Sequence, residues 1–324
     1  MRRFVPGGED VAAALAASRV IDWRRDPPVA ALESLDALAN RIICADARAA
    51  LSLLPEASVD CIITSPPYWS FVDYGLTGQI GTGGYEAYLT DLLRVWEQCE
   101  RVLRPNGKLC LNTPILPVPK AVMPEPHTRQ LLNLNNDIEA SIVRELSLQR
   151  FSLYIWQKQT TERVFGSYPY PPNLYEQNTI EFINVFVKPG RPRRLPAAVK
   201  EPSQLTDRQW LNLTRQVWHL YPEDIRRARH PAPFPEALPN RLIAMYTFAA
   251  AGGFPGDLVL DPFNGTGATC AAAKRLGRRY LGIDLSPHFC LTAEQRLRGA
   301  RRDDRIFLCH ADRPSRRSAD CQVP

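Results

Sequence analysis

Two apolar runs far apart in the chain each end in an unusual polar corner, and this pairing constrains the fold more than any other feature. Val59–Ile63 leads into Thr64-Ser65-Pro66-Pro67-Tyr68-Trp69, and Leu258–Leu260 leads into Asp261-Pro262-Phe263-Asn264-Gly265-Thr266-Gly267. Short apolar runs bounded by turn residues are typical of buried strands. Because the carboxyl ends of parallel strands meet at one edge of a sheet, we expect both corners to contribute to a single site.

Helix and strand patterns alternate around both corners. The apolar spacing predicts strands at 41–44, 59–63, 108–112, 151–157, 179–187, 258–260 and 280–283, and helices at 47–54, 85–103, 132–149, 240–250 and 268–276. Residues 189–240 are the least regular part of the pattern. Strands that alternate with helices predict an α/β fold with a Rossmann-like, doubly wound and mostly parallel sheet.

The cysteines and histidines give no indication of a metal centre. The eight cysteines include no Cys-x-x-Cys pair, and the five histidines form no cluster with metal-ligand spacing. We therefore expect reduced, buried cysteines and no metal site. No segment approaches the ~20 consecutive apolar residues of a membrane span, and the N-terminus lacks the apolar stretch of a signal peptide. These features predict a cytoplasmic protein with no membrane partner.

Positive charge is concentrated in two segments of a chain whose net charge is +6. Residues 189–230 carry nine Lys and Arg against four Asp and Glu, and a second Arg-rich segment follows Gly299. We favour phosphate contact as the interpretation of 189–230, whereas the tail is equally consistent with a solvated surface. Trp210 and Trp218 are predicted to be core residues.

The corner at Asp261 has the pattern of a cofactor-binding turn. Gly265 and Gly267 have no Cβ atom, so the backbone can approach a ligand closely. Asp284 ends the next predicted strand, a position where a carboxylate commonly binds ribose hydroxyl groups. A Gly-x-Gly sequence alone is a weak signal, and the alternative is a tight strand–helix turn with a surface aspartate.

The corner at Ser65 has the pattern of a site for an amino group. Pro66 and Pro67 stiffen the backbone, so its carbonyl oxygens can be aimed at a substrate. An exocyclic amine on a nucleobase is a poor nucleophile, and fixed acceptors for its hydrogens would expose its lone pair. Tyr68 would stack on a base that has left the duplex. The alternative is a proline-stiffened turn with a core tyrosine.

The two corners, in this order, resemble those of the permuted (β-class) DNA amino-methyltransferases. The match covers roughly residues 40–113, 153–188 and 228–290, and it includes His230-Pro231-Ala232-Pro233-Phe234-Pro235-Glu236. The resemblance implies the fold of S-adenosylmethionine-dependent methyltransferases, with S-adenosylmethionine as cofactor and double-stranded DNA as partner. We expect the protein to be nucleoid-associated; the sequence leaves open whether a cognate restriction endonuclease is a further partner and whether the protein is a monomer or a homodimer. In that family Ser-Pro-Pro-Tyr is typical of cytosine-N4 enzymes, and Asp-Pro-Pro-Tyr of adenine-N6 enzymes.

The resemblance also implies roles for individual residues. Ser65 and the Pro66 carbonyl would bind the amino group, with Pro67 and Tyr68 completing the catalytic set. The implied cofactor-binding residues are Asp46, Pro233, Phe234, Asp261, Pro262, Phe263, Gly265, Thr266, Gly267 and Asp284. The residues that we expect at the DNA are Trp69, Arg191, Arg193 and Arg194.

On this interpretation the chain has five segments. They are an N-terminal extension (1–38), a catalytic half (39–188, with loops 114–137 and 160–178), a basic, irregular target-recognition or linker region (189–229), a cofactor-binding half of the same domain (230–297) and a basic tail (298–324). The proposed activity is methylation of cytosine N4 in a base flipped out of duplex DNA. Three alternatives stay open: adenine-N6 transfer on the same scaffold, RNA methylation, and a DNA-binding module with a degenerate site.

Overall fold

The computed structural model describes residues 2–3, 10–69, 72–73, 75–118, 130–160, 165–223 and 234–302, which are organised around a nine-stranded sheet. Numbered in chain order, its strands are β1 (Ile21–Asp22), β2 (Arg41–Cys44), β3 (Val59–Thr64), β4 (Leu103–Pro114), β5 (Gln149–Lys158), β6 (Ile180–Val187), β7 (Val217–Leu220), β8 (Leu258–Asp261) and β9 (Arg279–Asp284). Their order across the sheet is β7-β5-β6-β4-β3-β8-β9-β2-β1. Strand β6 is antiparallel to both its neighbours, and every other neighbouring pair is parallel. The predicted mostly parallel sheet is therefore confirmed.

Helices cover both faces of this sheet. They are α1 (Val11–Ala16), α2 (Ala47–Leu53), α3 (Tyr85–Val102), α4 (Leu134–Glu145), α5 (Ala197–Lys200), α6 (Asp207–Leu213), α7 (Ala237–Tyr246), α8 (Ala268–Arg275) and α9 (Pro287–Gly299). One apolar core forms between the sheet and α2, α3 and α4, and the other forms between the opposite face and α7, α8 and α9. This arrangement is the predicted doubly wound fold.

Several elements of the main sheet and its helices were not predicted from the sequence, namely helices α5, α6 and α9 and strands β1 and β7. Helix α9 begins with Ser286, whose hydroxyl accepts from the Phe289 N–H, and with Pro287 in its first turn. Strands β1 and β7 form the two edges of the sheet. The sheet thus extends into residues that the sequence interpretation treats as an N-terminal extension and as a basic linker.

Strand β4 is longer than the strand predicted at 108–112. It starts at Leu103 and includes Pro105-Asn106-Gly107, where the Asn106 N–H donates to the Lys188 carbonyl and Asn106 takes a positive φ of 65°. A positive φ is tolerated better by Asn than by most residues with a side chain. The pairing of β3 with β4 is irregular at this point.

The prediction for the two tryptophans is half correct. Trp218 is buried and stacks on Tyr154, with a ring-centroid distance of 4.6 Å. Trp210 is 62% exposed on α6, so its assignment to the core is wrong. The helix is short and turns this side chain away from the sheet. The cysteines agree with expectation, because the six that lie in the described residues are buried and unpaired.

Candidate active site

The two polar corners lie side by side because β3 and β8 are neighbouring parallel strands. Val259 pairs with Cys61, and Leu260 pairs with Ile62. At the strand ends, the Thr64 hydroxyl donates a 2.6 Å hydrogen bond to Oδ1 of Asp261. Sequence positions nearly two hundred residues apart are thus joined directly, as the sequence predicts for carboxyl ends at one edge of a sheet.

A cavity of ≈ 1000 Å³, partly continuous with solvent, opens at this edge. Most of the residues that the sequence assigns to catalysis or cofactor binding line it, and those from both corners face each other across it. They are Asp46, Ser65, Pro66, Pro67, Tyr68, Phe234, Pro262, Phe263, Gly265, Thr266 and Asp284.

The Ser65 corner is held by hydrogen bonds from three directions. The Ser65 hydroxyl lies 2.7 Å from the Tyr68 hydroxyl and 3.1 Å from the Asn112 carbonyl oxygen. The Tyr88 hydroxyl of α3 donates to the Pro67 carbonyl at 2.9 Å. The corner therefore keeps its shape through the proline rings and through contacts to α3 and β4.

The second corner is built around two carboxylates. Asp261 is 1% exposed and accepts from the Thr64 hydroxyl and the Phe263 N–H. Burial raises the pKa of Asp261 to about 6, although hydrogen bonds, foremost from Thr64, oppose that rise. Asp261 thus lies beneath the cavity and does not line it, and its hydrogen bonds to Thr64 and Phe263 fix the shape of the turn.

Asp284 is half-buried and faces the cavity from the end of β9. Its two oxygens accept from the Gly265 N–H at 2.7 Å and from the Ser286 N–H at 2.8 Å. Burial raises the pKa of Asp284 to about 6, and these backbone hydrogen bonds lower it in part. This carboxylate thereby links the glycine turn to the start of α9.

Gly267 has a role that the sequence interpretation did not give it. Its φ is +82°, and a Cβ atom there would lie 2.8 Å from the Ala293 Cβ of α9. Glycine is therefore required for packing as well as for conformation. Gly267 does not line the cavity, since α9 lies against it.

Asp46 borders the cavity from the start of α2, opposite the glycine turn. Its carboxylate accepts from the backbone N–H of Arg48 and, through both oxygens, from the Arg48 guanidinium at 2.7 and 3.1 Å. Burial raises the pKa of Asp46, but the Arg48 hydrogen bonds and charge outweigh it and the net pKa is lowered. The same guanidinium contacts Asp91 at 2.9 Å and the Gly78 carbonyl at 3.1 Å, so it also fixes the loop that covers this side of the cavity.

The sequence interpretation missed part of the cavity wall. Two groups were not assigned: a loop after the Ser65 corner and the start of α9. The lining residues concerned are Leu76, Gly78, Gln79, Ile80, Leu285, Ser286 and Phe289. The Ser286-Pro287 pair is a recognisable helix-start signal, which could have identified α9 and with it Phe289.

The residues expected at DNA do not gather at the cavity. The Trp69 indole N–H donates to the Gly83 carbonyl at 2.9 Å, and its ring packs against Tyr85. Arg193 pairs with Asp257 and, at 3.1 Å, with Asp60, near the amino ends of β8 and β3 and away from the two corners. Two carboxylates thus bind the guanidinium of Arg193, and its contact with DNA stays a prediction.

Arg191 and Arg194 are exposed, and their contact with DNA stays a prediction. Pro233 lies outside the described residues, as do Arg226, Arg227 and Arg229 of the basic segment. Within the described ranges, no group of His, Cys, Asp and Glu could hold a metal ion. Of the helices in the described part of the chain, none is long and apolar enough to cross a membrane.

Comparison with known proteins gives one consistent result. A family model described as DNA methylase, of the N6/N4 type, matches residues 59–295. One similar solved structure is that of a protein described as a DNA modification methylase from Thermus thermophilus, in complex with S-adenosyl-L-methionine. Its sequence is 34% identical to this chain. The two structures match with a TM-score of 0.64 over 79% of this chain and 92% of that chain. The Type II methyltransferase M.SmaI of Serratia marcescens is 29% identical over 79% of this chain and 90% of that protein. The DNA adenine methyltransferase YhdJ of Escherichia coli is 27% identical over 80% of this chain and 83% of that protein.

Proposed function

We propose that this chain, which belongs to the N6/N4 family of DNA methylases, transfers a methyl group from S-adenosylmethionine to the N4 amino group of a cytosine at a specific site in duplex DNA. The observation that carries the proposal is the Thr64–Asp261 hydrogen bond, which holds the Ser65 corner and the glycine turn against one cavity. Each corner alone has a purely structural explanation. Their joint position at the same opening supports a site that takes two substrates.

The cavity fits the proposed cofactor. Asp284 and Asp46 offer carboxylate acceptors for hydroxyl and amino groups, and Phe234, Phe263 and Phe289 offer apolar surface for an adenine ring. In the glycine turn, Gly265 has no side chain, so its backbone can approach the cofactor closely. When bound, S-adenosylmethionine supplies a methyl group on a sulfonium centre. The residues of the chain then have to position an amino nitrogen in line with that methyl group, and positioning is the main catalytic term that such a transfer needs.

The Ser65 corner supplies the acceptors for that amino group. The Ser65 hydroxyl oxygen and the Pro66 carbonyl would each accept an N–H of the base, which removes the lone pair from conjugation with the ring. Tyr68 would stack on the flipped base. The rigid corner makes this arrangement available without rearrangement, and this pre-organisation supports catalysis at the exocyclic nitrogen.

Ser65 is the reason to prefer cytosine N4, since Ser-Pro-Pro-Tyr is typical of cytosine-N4 enzymes in the family that the two corners resemble. The relationship to the adenine methyltransferase YhdJ favours a second candidate, transfer to adenine N6. Both reactions use the same cavity and the same chemistry. They differ in the base that is accepted.

The two candidates are separated by one labelling experiment. Purified protein is incubated with S-adenosylmethionine carrying a labelled methyl group and with equal amounts of unmethylated plasmid DNA and RNA, and each nucleic acid is then digested to nucleosides. We expect the label in 4-methylcytosine. Label in 6-methyladenine would replace the first candidate by the second, and label in RNA in preference to DNA would contradict both.

A partner endonuclease, a nucleoid location and the choice between monomer and homodimer remain expectations. Arg191, Arg194 and the loop residues Tyr168 and Tyr170 are exposed and are our candidates for DNA contact. Basic side chains would bind phosphates, and exposed aromatic rings would pack against bases or sugars.

A further inference from the structure

A buried carboxylate on β6 contacts the Ser65 corner from behind. Glu181 is 7% exposed, and its Oε2 lies 3.3 Å from the Tyr68 hydroxyl. The Asn112 side-chain amide donates to the same oxygen. The Lys158 ammonium contacts the other oxygen, Oε1, at 2.6 Å. Because β6 is antiparallel, its amino end lies at the edge of the sheet where the parallel strands have their carboxyl ends. Glu181 therefore lies beside the Ser65 corner. The sequence interpretation did not connect strand β6 with this corner.

The contacts of Glu181 define the direction of the hydrogen bonds. An ionised carboxylate only accepts, so the Tyr68 hydroxyl donates to Glu181. The Tyr68 hydroxyl has one proton, which goes to Glu181. The 2.7 Å hydrogen bond between the Ser65 and Tyr68 hydroxyls is therefore donated by Ser65. The Asn112 carbonyl, at 3.1 Å, is a second and more distant acceptor for the same Ser65 proton. The result is a chain of donors that runs from Ser65 through Tyr68 to Glu181. Because Ser65 lines the cavity and gives its own proton to Tyr68, its oxygen can accept from an amino group in the cavity.

The reaction proposed above produces a proton that must leave. As the amino nitrogen bonds to the methyl carbon, the sulfonium–carbon bond breaks and the nitrogen becomes positively charged. The nitrogen regains neutrality by losing one of its own protons. Such a cation is strongly acidic because the neutral amine shares its lone pair with the ring, so a carboxylate is a sufficient base.

We propose that Glu181 is a positioning residue that orients the Tyr68 and Ser65 hydroxyls and receives, through them, the proton that the amino group loses. The amino proton passes to the Ser65 oxygen, the Ser65 proton to the Tyr68 oxygen, and the Tyr68 proton to Oε2 of Glu181. Ser65 and Tyr68 end unchanged, and Glu181 becomes neutral. This inference rests on the proposed methyl transfer and adds a proton route to it.

The surroundings of Glu181 keep it ready for this role. Among the described residues, Lys158 is the charged group that contacts it, and this ion pair holds Oε1 in place. Asn112 holds Oε2 in place from β4. The proton route uses only the hydroxyl of Tyr68, and its ring takes no part in the proton transfer.

The test uses the full chain with S-adenosylmethionine and unmethylated plasmid DNA, with single-turnover transfer rates measured in H₂O and D₂O. Glu181→Gln keeps the shape of the side chain and removes its charge, and Tyr68→Phe keeps the stacking ring and removes the hydroxyl. Glu294→Gln is the matched control for the first, since Glu294 is also 7% exposed and accepts from Arg19 and Arg298 away from the site. Tyr154→Phe is the control for the second, because its hydroxyl contacts only that of Tyr246 among the hydrogen bonds of the described residues.

We expect Glu181→Gln and Tyr68→Phe each to lower the transfer rate by about 100-fold or more, the range of general-base assistance. The double variant should be no slower than the slower single variant, because both changes interrupt one route. Cofactor Kd and DNA KM should keep their wild-type values, and the solvent isotope effect should shrink in both variants. The two control variants should behave as wild type.

Two outcomes would overturn the proposal while the methyltransferase function stands. One is a wild-type transfer rate in Tyr68→Phe, and the other is a double variant whose loss equals the product of the two single losses. A Glu181→Gln variant in which the cofactor Kd or the DNA KM rises together with the loss of rate would indicate a purely structural role of Glu181 and would also overturn the proposal. A wild-type protein that transfers no methyl group to DNA would overturn the proton route together with the function on which it rests.

Discussion

At the scale of single residues, Asp284 combines two tasks that a less buried carboxylate could not perform equally well. It accepts from the N–H groups of Gly265 and Ser286 and still borders the cavity. The two backbone N–H groups fix the direction of its carboxylate oxygens. Burial destabilises the ionised form of Asp284, so hydrogen-bond donors on a ligand would stabilise that form further.

The raised pKa of Asp284 predicts a pH-dependent cofactor affinity. The pKa is about 6 in the free protein, so the carboxyl group is ionised above that pH and protonated below it. Ribose hydroxyl groups bind the ionised form better, and the affinity for S-adenosylmethionine should therefore fall as the pH decreases through about 6. Calorimetric titration on either side of that pH measures this. The Asp284→Asn variant should bind S-adenosylmethionine more weakly than wild type, and its affinity should not depend on pH around 6. If the affinity of this variant depends on pH as that of wild type does, the pH dependence belongs to another group, such as Asp261.

The two corners should separate binding from turnover at single positions. Ser65→Ala removes an acceptor for the amino group and should lower kcat by about 10- to 100-fold, with cofactor Kd unchanged. Asp284→Ala removes a charged acceptor of the cofactor and should raise cofactor Kd by a similar factor. Equilibrium binding and steady-state rates on both variants check this. Equal losses of cofactor affinity in the two variants would contradict the assignment of roles.

At the scale of elements, the pairing of β3 with β8 places the two corners of the site next to each other. The Thr64 hydroxyl is the donor to Oδ1 of buried Asp261, and it opposes the effect of burial on the pKa of that carboxyl. A buried carboxylate that loses a donor keeps its desolvation cost without compensation. The two strands are therefore coupled through one side-chain pair as well as through their backbone ladder.

Thr64→Val should reduce the free energy of unfolding by about 1–3 kcal/mol, because it preserves the shape and removes the donor. The loss should grow as the pH rises above about 6, since Asp261 is ionised there and its ionised form is the one that Thr64 stabilises. Urea unfolding well below and well above that pH measures both effects. Thr90→Val at an exposed position of α3, where the hydroxyl donates to the Glu86 carbonyl of its own helix, should change stability by less than about 0.5 kcal/mol. A loss that is the same at both pH values would argue against an ionised Asp261.

At the scale of the whole molecule, the order of motifs along the chain and their order in space differ. The Ser65 corner precedes the glycine turn in sequence, yet β3 and β8 are adjacent at the centre of the sheet. Both halves contribute strands to one sheet, and the helices of each half cover one of its two faces. The site is consequently a property of the complete domain, and neither half carries it alone.

Local signals explain what could be predicted from the sequence. The Ser65 corner, the glycine turn and Asp284 each follow an apolar strand, so their presence at one edge follows from the α/β alternation alone. The edge strand β7 is short and lies in an Arg- and Pro-rich segment, which conceals its periodicity. The ion pairs of Arg193 and the contact of Glu181 with the Ser65 corner could not be predicted, because the partners, Asp60, Asp257 and Tyr68, are distant in sequence and are set by tertiary pairing.

The most direct test of the account is methylation-aware sequencing of DNA from cells that express the wild-type chain, with cells that express Ser65→Ala as the matched control. The account predicts N4-methylcytosine in one recurrent short sequence with the wild-type chain and its loss with the variant. Marks that persist in the Ser65→Ala cells, or no methylated base in either, would contradict the claim that the two corners form one amino-methylating site.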